Sequence, residues 1–582
     1  MKRIDGGEIV CRVLTKHRVG TVFALHGGHL DAIFLANTVG SHGIRFVDTR
    51  HEASAGHAAE GYARSTGEVG VAMATAGPGF TNIITSMTNA WLDCTPVVYI
   101  CGASPLREAE MNPLQGGIDQ IAMVKSVTKW AGQASRIELI GPLLERCIST
   151  ARSGRPGPVF LEIPIDVLFD LTDDAVPLSD SVFFETISHA APSTQTVAGV
   201  VSMLRVAKRP VLCAGGGALF AKCAEPLRKF VGKTGIPVYT NNKAHGVLPF
   251  SDSLACGKIS NMGALKEDGG ARPDLIIMLG ARFGLFTGGD NDAVIPGDAK
   301  IIQVDIEPRE FGRVRAVDLP VQSDCRAFIE ATCDALGEDW RPVSREWQDR
   351  VMTTRRWHRV SFADVLDKTD GLIHPYFLSF TVAEVFGRDA VYVSDGGNTN
   401  NWTELNTEVD GPGQFHAFGY LGCLGVGPGM AVGAQLAHQD KKVVLQTGDG
   451  AIGLNLSEWD TMVRHDLPIV TVVANNAGWG MSFQSQDLTW PEGVGHVISD
   501  LNPTRYDQVA EGFGCHVEHV TGVAELKPAL ERARDAGKPA VVNVTVDPEP
   551  ISPQLLSYVA IEEADGEEIV LPYYKNISGA KR

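Results

Sequence analysis

Short, uninterrupted apolar runs recur along the chain, separated by longer stretches with a helical spacing of apolar positions. IRFVD, GVAMAT, PVVYIC and PVFLEI fall in the first third, PVLCAG, PVYT, LIIMLG and KIIQVD in the second, and AVYVSD, KVVLQT, PIVTVVA and PAVVNVTV in the last. A strand apolar on both faces belongs in a parallel sheet covered by helices on each side. The pattern predicts an α/β chain of three consecutive doubly wound parallel-sheet domains, at about 1–180, 190–340 and 365–550. Proline and polar clusters mark the seams: DLTDDAVPLSDS after the first unit and the charged SREWQDRVMTTRRWH after the second. Residues 551–582 show no strand–helix alternation and read as a disordered end or as a flap over an active site. No internal repeat is visible, although the first and third units are free to share a fold without sharing sequence.

Composition narrows the function classes. A chain of 582 residues that is 44% apolar has material for several large cores. Its 51 basic against 69 acidic residues give a formal charge of -18, which disfavours nucleic acid and anionic membrane surfaces as partners. No segment approaches the roughly 18 to 20 apolar residues of a membrane span, and Asp5 and Glu8 interrupt the region where a secretory leader needs an apolar run. A cytoplasmic protein is expected. The 11 cysteines are scattered through apolar runs without a CxxC, so reduced core thiols are expected rather than zinc or a disulfide frame.

Two features carry chemistry. After IRFVD the chain reads TRHEASAGHAAEGYA, placing Glu52 where a strand turns into a helix made almost wholly of Ala, Gly and Ser. Small residues allow another backbone to approach closely, so this helix is built for tight packing with a carboxylate at its mouth. Further on, KVVLQT runs into Gly448, Asp449 and Gly450, and after 24 residues PIVTVVA runs into Asn475 and Asn476. In a parallel sheet both turns emerge at the carboxyl ends of neighbouring strands, where open α/β sheets bind ligands. A carboxylate, a side-chain amide and a backbone carbonyl suit a hard divalent cation that keeps positions for phosphate oxygens and water. Singly, each is a common turn after a strand, and Glu52 alone would read as a capping glutamate.

Together, GDG, the 24-residue spacing, NN and RHEASAGHAAEGYAR resemble the signature of thiamine-diphosphate-dependent enzymes. The resemblance implies pyrimidine-binding, central Rossmann-like and diphosphate-binding domains, thiamine diphosphate and Mg2+ as cofactors, and a homo-oligomer, expected to be a homotetramer, with its active site at a dimer interface. The Glu52 helix would lie at that interface, and Glu52 would bond N1′ of the cofactor's pyrimidine ring. Low dielectric strengthens such a bond and raises the carboxylate's proton affinity. Asp449, Asn476 and the Gly478 carbonyl would hold magnesium. Gly397, Asn398, Gly450 and Ala451 lie where diphosphate contacts are expected, at helix N-termini that favour the anion. Leu424 would be the apolar wedge beneath the bent cofactor, and the Gly422 carbonyl would hold its amine.

Within that family the segments LHGGHLDAIF, LQGGIDQIAMVKSVTKWA, LGARFGLFTGG, GYLGCLGVGPGMAVGAQ and SEWDTMVRHDLP are most similar to benzaldehyde lyase. That similarity makes His29 and Gln115 catalytic candidates, His29 moving a proton and Gln115 orienting the substrate oxygen. His26, Gly28, Asn400, Met481 and Ser485 are expected around the substrate. Asn400 and Ser485 stand where benzaldehyde lyase has aromatic residues, which points to a less aromatic pocket. GARFGLFTGGD lacks the acidic run of the flavin site in related acetolactate synthases, and Gly215–Gly217 is too weak a motif to claim a nucleotide, so FAD is not expected. The resemblance implies a lyase or carboligase acting on 2-hydroxy ketones (acyloins) and aldehydes, with 2-keto acids as further small-molecule substrates. A 2-hydroxyacyl-CoA lyase, an oxalyl-CoA decarboxylase-like or an acetolactate synthase-like enzyme is the alternative on the same scaffold. A non-catalytic paralogue serving as an assembly partner is the alternative of another class.

Overall fold

The computed structural model describes residues 3–108, 111, 114–174, 189–267, 269–284, 287, 292–489, 495–559, 561–564 and 567–570. Parts of LGARFGLFTGG, the seam after Asp174 and most of the chain after residue 559 thus lie outside the described residues. All twelve apolar runs become strands and, with six further strands, build three six-stranded sheets in which every pairing is parallel.

The first sheet comprises, in chain order, Thr21–Ala24, Arg45–Asp48, Gly70–Ala74, Val97–Ala103, Trp130–Gln133 and Val159–Pro164, and lies in the spatial order 2-1-3-4-6-5. The third comprises Val391–Asp395, Phe415–Ala417, Val443–Gly448, Val470–Asn475, His516–Val520 and Ala540–Thr545, in the same order 2-1-3-4-6-5. The two outer domains therefore share a topology that their sequences do not announce. The middle sheet, from Pro210–Ala214 to Leu319–Gln322, has the order 3-2-1-4-5-6, the Rossmann arrangement. Its glycines are taken up by packing: a methyl group on Gly215 would lie 2.2 Å from the Gly280 carbonyl oxygen. The charged stretch read as a seam is the helix Arg345–Met352, whose Trp347 and Val351, one turn apart, are buried in the middle-domain core. Among the described residues no helix is long and apolar enough to cross a membrane.

The outer domains share one continuous core. The helix Glu52–Thr66 lies against Gly427–Ala437, and Ala55, Ala58 and Ala59 pack with Val426, Met430, Ala431 and Ala434. Glycines set the spacing. A methyl on Gly433 would sit 1.9 Å from the Ala58 carbonyl oxygen and one on Gly61 2.5 Å from that of Met430, so the backbones touch where side chains would normally intervene. The expectation that this helix packs at a subunit interface is corrected for this face: its small residues receive a helix of the same chain's third domain.

Charge reinforces the junction. Arg64, 2% exposed, donates to Glu60 Oε1 (2.5 Å), Asp93 and the Ala417 carbonyl (2.9 Å), and Lys243 of the middle domain lies 3.4 Å from Asp93 Oδ1. Burial opposes ionisation of Glu60 and Asp93, but the surrounding cations outweigh it and hold both below the ordinary carboxylate range.

Candidate functional site

A cavity of about 630 Å³ opens at the carboxyl ends of the third domain's strands, as the sheet topology requires of a ligand site. Its described walls come entirely from residues between Pro375 and Leu555. Gly397, Asn398, Gly422, Leu424, Asp449, Gly450, Ala451, Asn476, Gly478, Met481 and Ser485 are all among them. These eleven residues, spread over some ninety positions of sequence, meet because each follows a strand of one sheet.

The turn after Val391–Asp395 needs Gly396, whose φ is +95°, before the helix Gly397–Asn406 starts with its amides at the cavity. The helix Gly480–Thr489 also begins at this wall, so two helix N-termini offer partial positive charge to an anion. The buried Asn398 Oδ1 has no hydrogen-bond partner.

Asp449 is 2% exposed and accepts the Gly450 amide (3.0 Å) at Oδ1 and the Gly478 amide (3.0 Å) at Oδ2. Burial pushes its pKa up to about 6 against those amide bonds. One arm of the Asn476 amide lies 3.2 Å from Asp449 Oδ1 and 2.9 Å from the Gly478 carbonyl oxygen. With nitrogen in that arm the amide donates to both; with oxygen there, three acceptors converge without a donor. Adjacent ligands of an octahedral magnesium with bonds of about 2.1 Å lie roughly 3.0 Å apart, so these separations fit a magnesium ion once the amide presents its oxygen. No group of three or more His, Cys, Asp or Glu placed to hold a metal ion occurs among the described residues, so a cation here relies on this mixed oxygen set.

The remaining candidates gather on the first domain, again at strand ends. Glu52, 7% exposed, begins its helix behind the His51 cap and accepts Asn82 Nδ2 at Oε2 (3.0 Å). The preceding turn is docked on the third domain, where buried Glu458 accepts the Arg50 amide at 3.1 and 3.2 Å. His29 Nδ1 lies 3.1 Å from Thr75 Oγ1, and burial lowers the imidazole's pKa. A side chain at Gly102 would lie 2.4 Å from His29 Cβ, which explains the glycine. Gln115 holds a left-handed conformation (φ +58°) with its side chain against Gly77.

Two expectations change. Asn400 does not line the cavity: its amide turns to Glu404 Oε1 (2.7 Å), on the side where Glu404 meets Asn242 and Lys258 of the middle domain. The aromatic wall is supplied instead by Trp402, Phe418 and Trp479, which no motif singled out, so the cavity is not stripped of aromatic surface. His26 is exposed, pairs with Asp31 at 2.8 Å and stacks on Phe34; Gly28 begins the short helical turn that carries His29. Thr75 and Asn82 were also missed, although the TAGPG turn between them, directly after the strand Gly70–Ala74, was a usable signal.

The fold and site define an α/β enzyme built to hold a diphosphate-bearing cofactor. Three family models match in chain order: the N-terminal TPP binding domain of thiamine pyrophosphate enzymes over residues 4–123, the central domain over 197–332, and the C-terminal TPP binding domain over 395–544. The chain is 34% identical over 549 residues to the acetolactate synthase large subunit IlvG of Mycobacterium tuberculosis, covering 94% of this chain and 96% of that protein. It is 33% identical over 561 residues to the acetolactate synthase large subunit of Corynebacterium glutamicum (94% and 87%), and 30% identical over 588 residues to 2-hydroxyacyl-CoA lyase 2 of Caenorhabditis elegans (93% and 89%). The chain belongs to the thiamine pyrophosphate enzyme family and is a thiamine-diphosphate-dependent enzyme.

Proposed function

We propose that the protein is a magnesium- and thiamine-diphosphate-dependent lyase or carboligase that makes and breaks the carbon–carbon bond of acyloins, with aldehydes as the partners of that bond. The observation that carries this reading is the convergence of Asp449 Oδ1, one arm of the Asn476 amide and the Gly478 carbonyl oxygen in the wall of a largely apolar cavity that Leu424 and Gly422 also line. In it Asp449, Asn476 and Gly478 would hold the metal, the amides after Gly396 and Gly448 would receive the diphosphate, and Leu424 would support the cofactor's rings.

Thiamine diphosphate supplies an electron sink for bonds next to a carbonyl. Glu52 holds a proton at the pyrimidine ring, His29 moves a proton at the substrate hydroxyl or carbonyl, and Gln115 orients that oxygen. Since the described cavity walls come from the third domain, these three are assigned to the cavity of a second protomer, in a dimer or in a tetramer built from such dimers. The helix Pro553–Val559 supports the flap reading of the tail: Leu555 lines the cavity, Ser552 Oγ accepts Asn401 Nδ2 (3.0 Å), and Gln484 ties the chain down through the Pro548 and Pro550 carbonyls.

No Lys, Arg or His side chain is among the described third-domain walls, and His29 is the basic group that the second protomer brings; neutral aldehydes and acyloins are the proposed substrates. The acetolactate synthase reading draws on the relatives above. A turnover panel of benzoin, acetoin, pyruvate and an acyl-CoA ester, with Mg2+ and thiamine diphosphate added, separates them. Cleavage of an acyloin is the expected result; turnover of pyruvate or the thioester alone contradicts it.

A further inference from the structure

We propose that Asp395 is a positioning residue that sets the Leu424 wedge by tying the wedge loop to the diphosphate turn; this rests on the cofactor reading above. Asp395 ends the strand Val391–Asp395 immediately before the Gly396–Gly397 turn and is fully buried. Its carboxylate reaches the wedge loop: Oδ1 accepts the Gly425 amide (3.2 Å) and Oδ2 the Gly427 amide (2.8 Å), just after Leu424, while the Gly396 amide of its own turn also favours the charged form. One carboxylate thus fixes two peptides of the wedge loop from the base of a second cofactor loop.

The neighbouring residues fit this task. A methyl on Gly427 would lie 2.7 Å from Asp395 Cβ, so the carboxylate reaches both amides only because that position has no side chain. Gly425 has a φ of +78° and its carbonyl accepts Asn455 Nδ2 (2.7 Å). Asn455 is the last residue of the helix that Asp449 begins. The peptide groups of Gly425 are therefore held by Asp395 at the amide and by the metal-bearing helix at the carbonyl, and three cofactor-facing segments meet at one glycine. Leu424 is only half-buried, so its placement depends on this backbone more than on a surrounding core. Among the described residues no Lys or Arg pairs with Asp395; His57 and Cys423 are nearby titratable groups, and the amides of Gly427, Gly396 and Gly425 do the holding.

Asp395→Asn keeps the shape and replaces one acceptor with a donor that faces an amide. The test uses the full-length protein with Mg2+ and thiamine diphosphate. Quenching of Trp402 and Trp479 fluorescence reads affinity, near-ultraviolet circular dichroism reads the bound cofactor's conformation, and kcat and KM are taken on the best substrate of the panel. The expected outcome is affinity and KM within about threefold of wild type, an altered cofactor dichroism and a kcat lower by about 10²-fold, the scale of a roughly 1 Å misplacement. Unchanged dichroism and kcat overturn the proposal, as does an affinity that falls as far as kcat, which would make Asp395 a diphosphate-binding support. Should D395N fail to fold, Asn455→Leu releases the other side of Gly425 and must alter the same dichroism and lower kcat about tenfold; no change there also overturns the clamp. A wild type that binds no cofactor overturns the functional reading as well as the clamp, whereas a normal wild type with unaffected variants removes the clamp alone.

Discussion

At the scale of single residues, the site works by placing a few polar groups where water is scarce. Glu52 is buried with one oxygen engaged by Asn82, so Glu52→Gln keeps that bond and loses the charge. Turnover is expected to fall by about 10²–10⁴-fold while tryptophan quenching by thiamine diphosphate persists; retained turnover would show that the carboxylate is not used. Asp449→Ala removes the anionic ligand of the oxygen set, and cofactor-dependent quenching should disappear with it, as it should in wild type on removal of Mg2+ with a chelator. The pH dependence belongs to His29. Burial lowers its pKa, so the imidazole is neutral at pH 7 and able to accept a proton. As pH falls through that lowered value the ring becomes cationic and the ability is lost, giving kcat/KM an acid limb below the ordinary histidine value of about 6.5. His29→Ala should lack this limb in a pH–rate profile; an unchanged limb assigns it to another group.

At the scale of elements, what was legible in the sequence and what was not divide along burial. The twelve apolar runs are strands, most of them buried in the sheet interiors, where both faces need apolar side chains. The strands without a clear signal are chiefly edges: Trp130–Gln133, Ala255–Lys258, Leu319–Gln322, Phe415–Ala417 and His516–Val520 are short or partly solvent-facing. Of the site, the turns GDG and NN were readable because strand ends converge in a parallel sheet, whereas Gly397 and Asn398 came only through the family resemblance. Asn400 was placed through the resemblance alone; three asparagines occupy four positions of one helix, Asn398, Asn400 and Asn401, and of them Asn398 and Asn401 line the cavity. The Ala/Gly composition of the Glu52 helix announced a close partner without saying that it lies in the same chain. That packing is testable: Gly433→Val drives two extra methyl groups and a Cβ into the Ala58 peptide, and the melting temperature should drop with a cost of roughly 1–3 kcal/mol or more. An unchanged melting temperature would mean that the helices separate without penalty.

At the scale of the whole molecule, the proposed reading gives the chain two half-sites. The third domain would supply the cavity and its oxygen ligands and the first Glu52, His29 and Gln115; the two domains are held together by a glycine-lined helix pair and a buried charge network, and the described cavity walls belong to the third alone. The shared topology of the outer domains suits such pairing, because a two-fold axis then sets the strand ends of one protomer's first domain against those of its neighbour's third. The most direct measurement of this arrangement mixes two inactive proteins, Glu52→Gln and Asp449→Ala, under conditions that allow subunit exchange, and follows acyloin cleavage. A heterodimer of the two contains one cavity with both groups intact, so an equimolar random mixture should recover about one quarter of wild-type activity. No recovery despite demonstrated exchange would place Glu52 and Asp449 in a single chain's site and contradict the account.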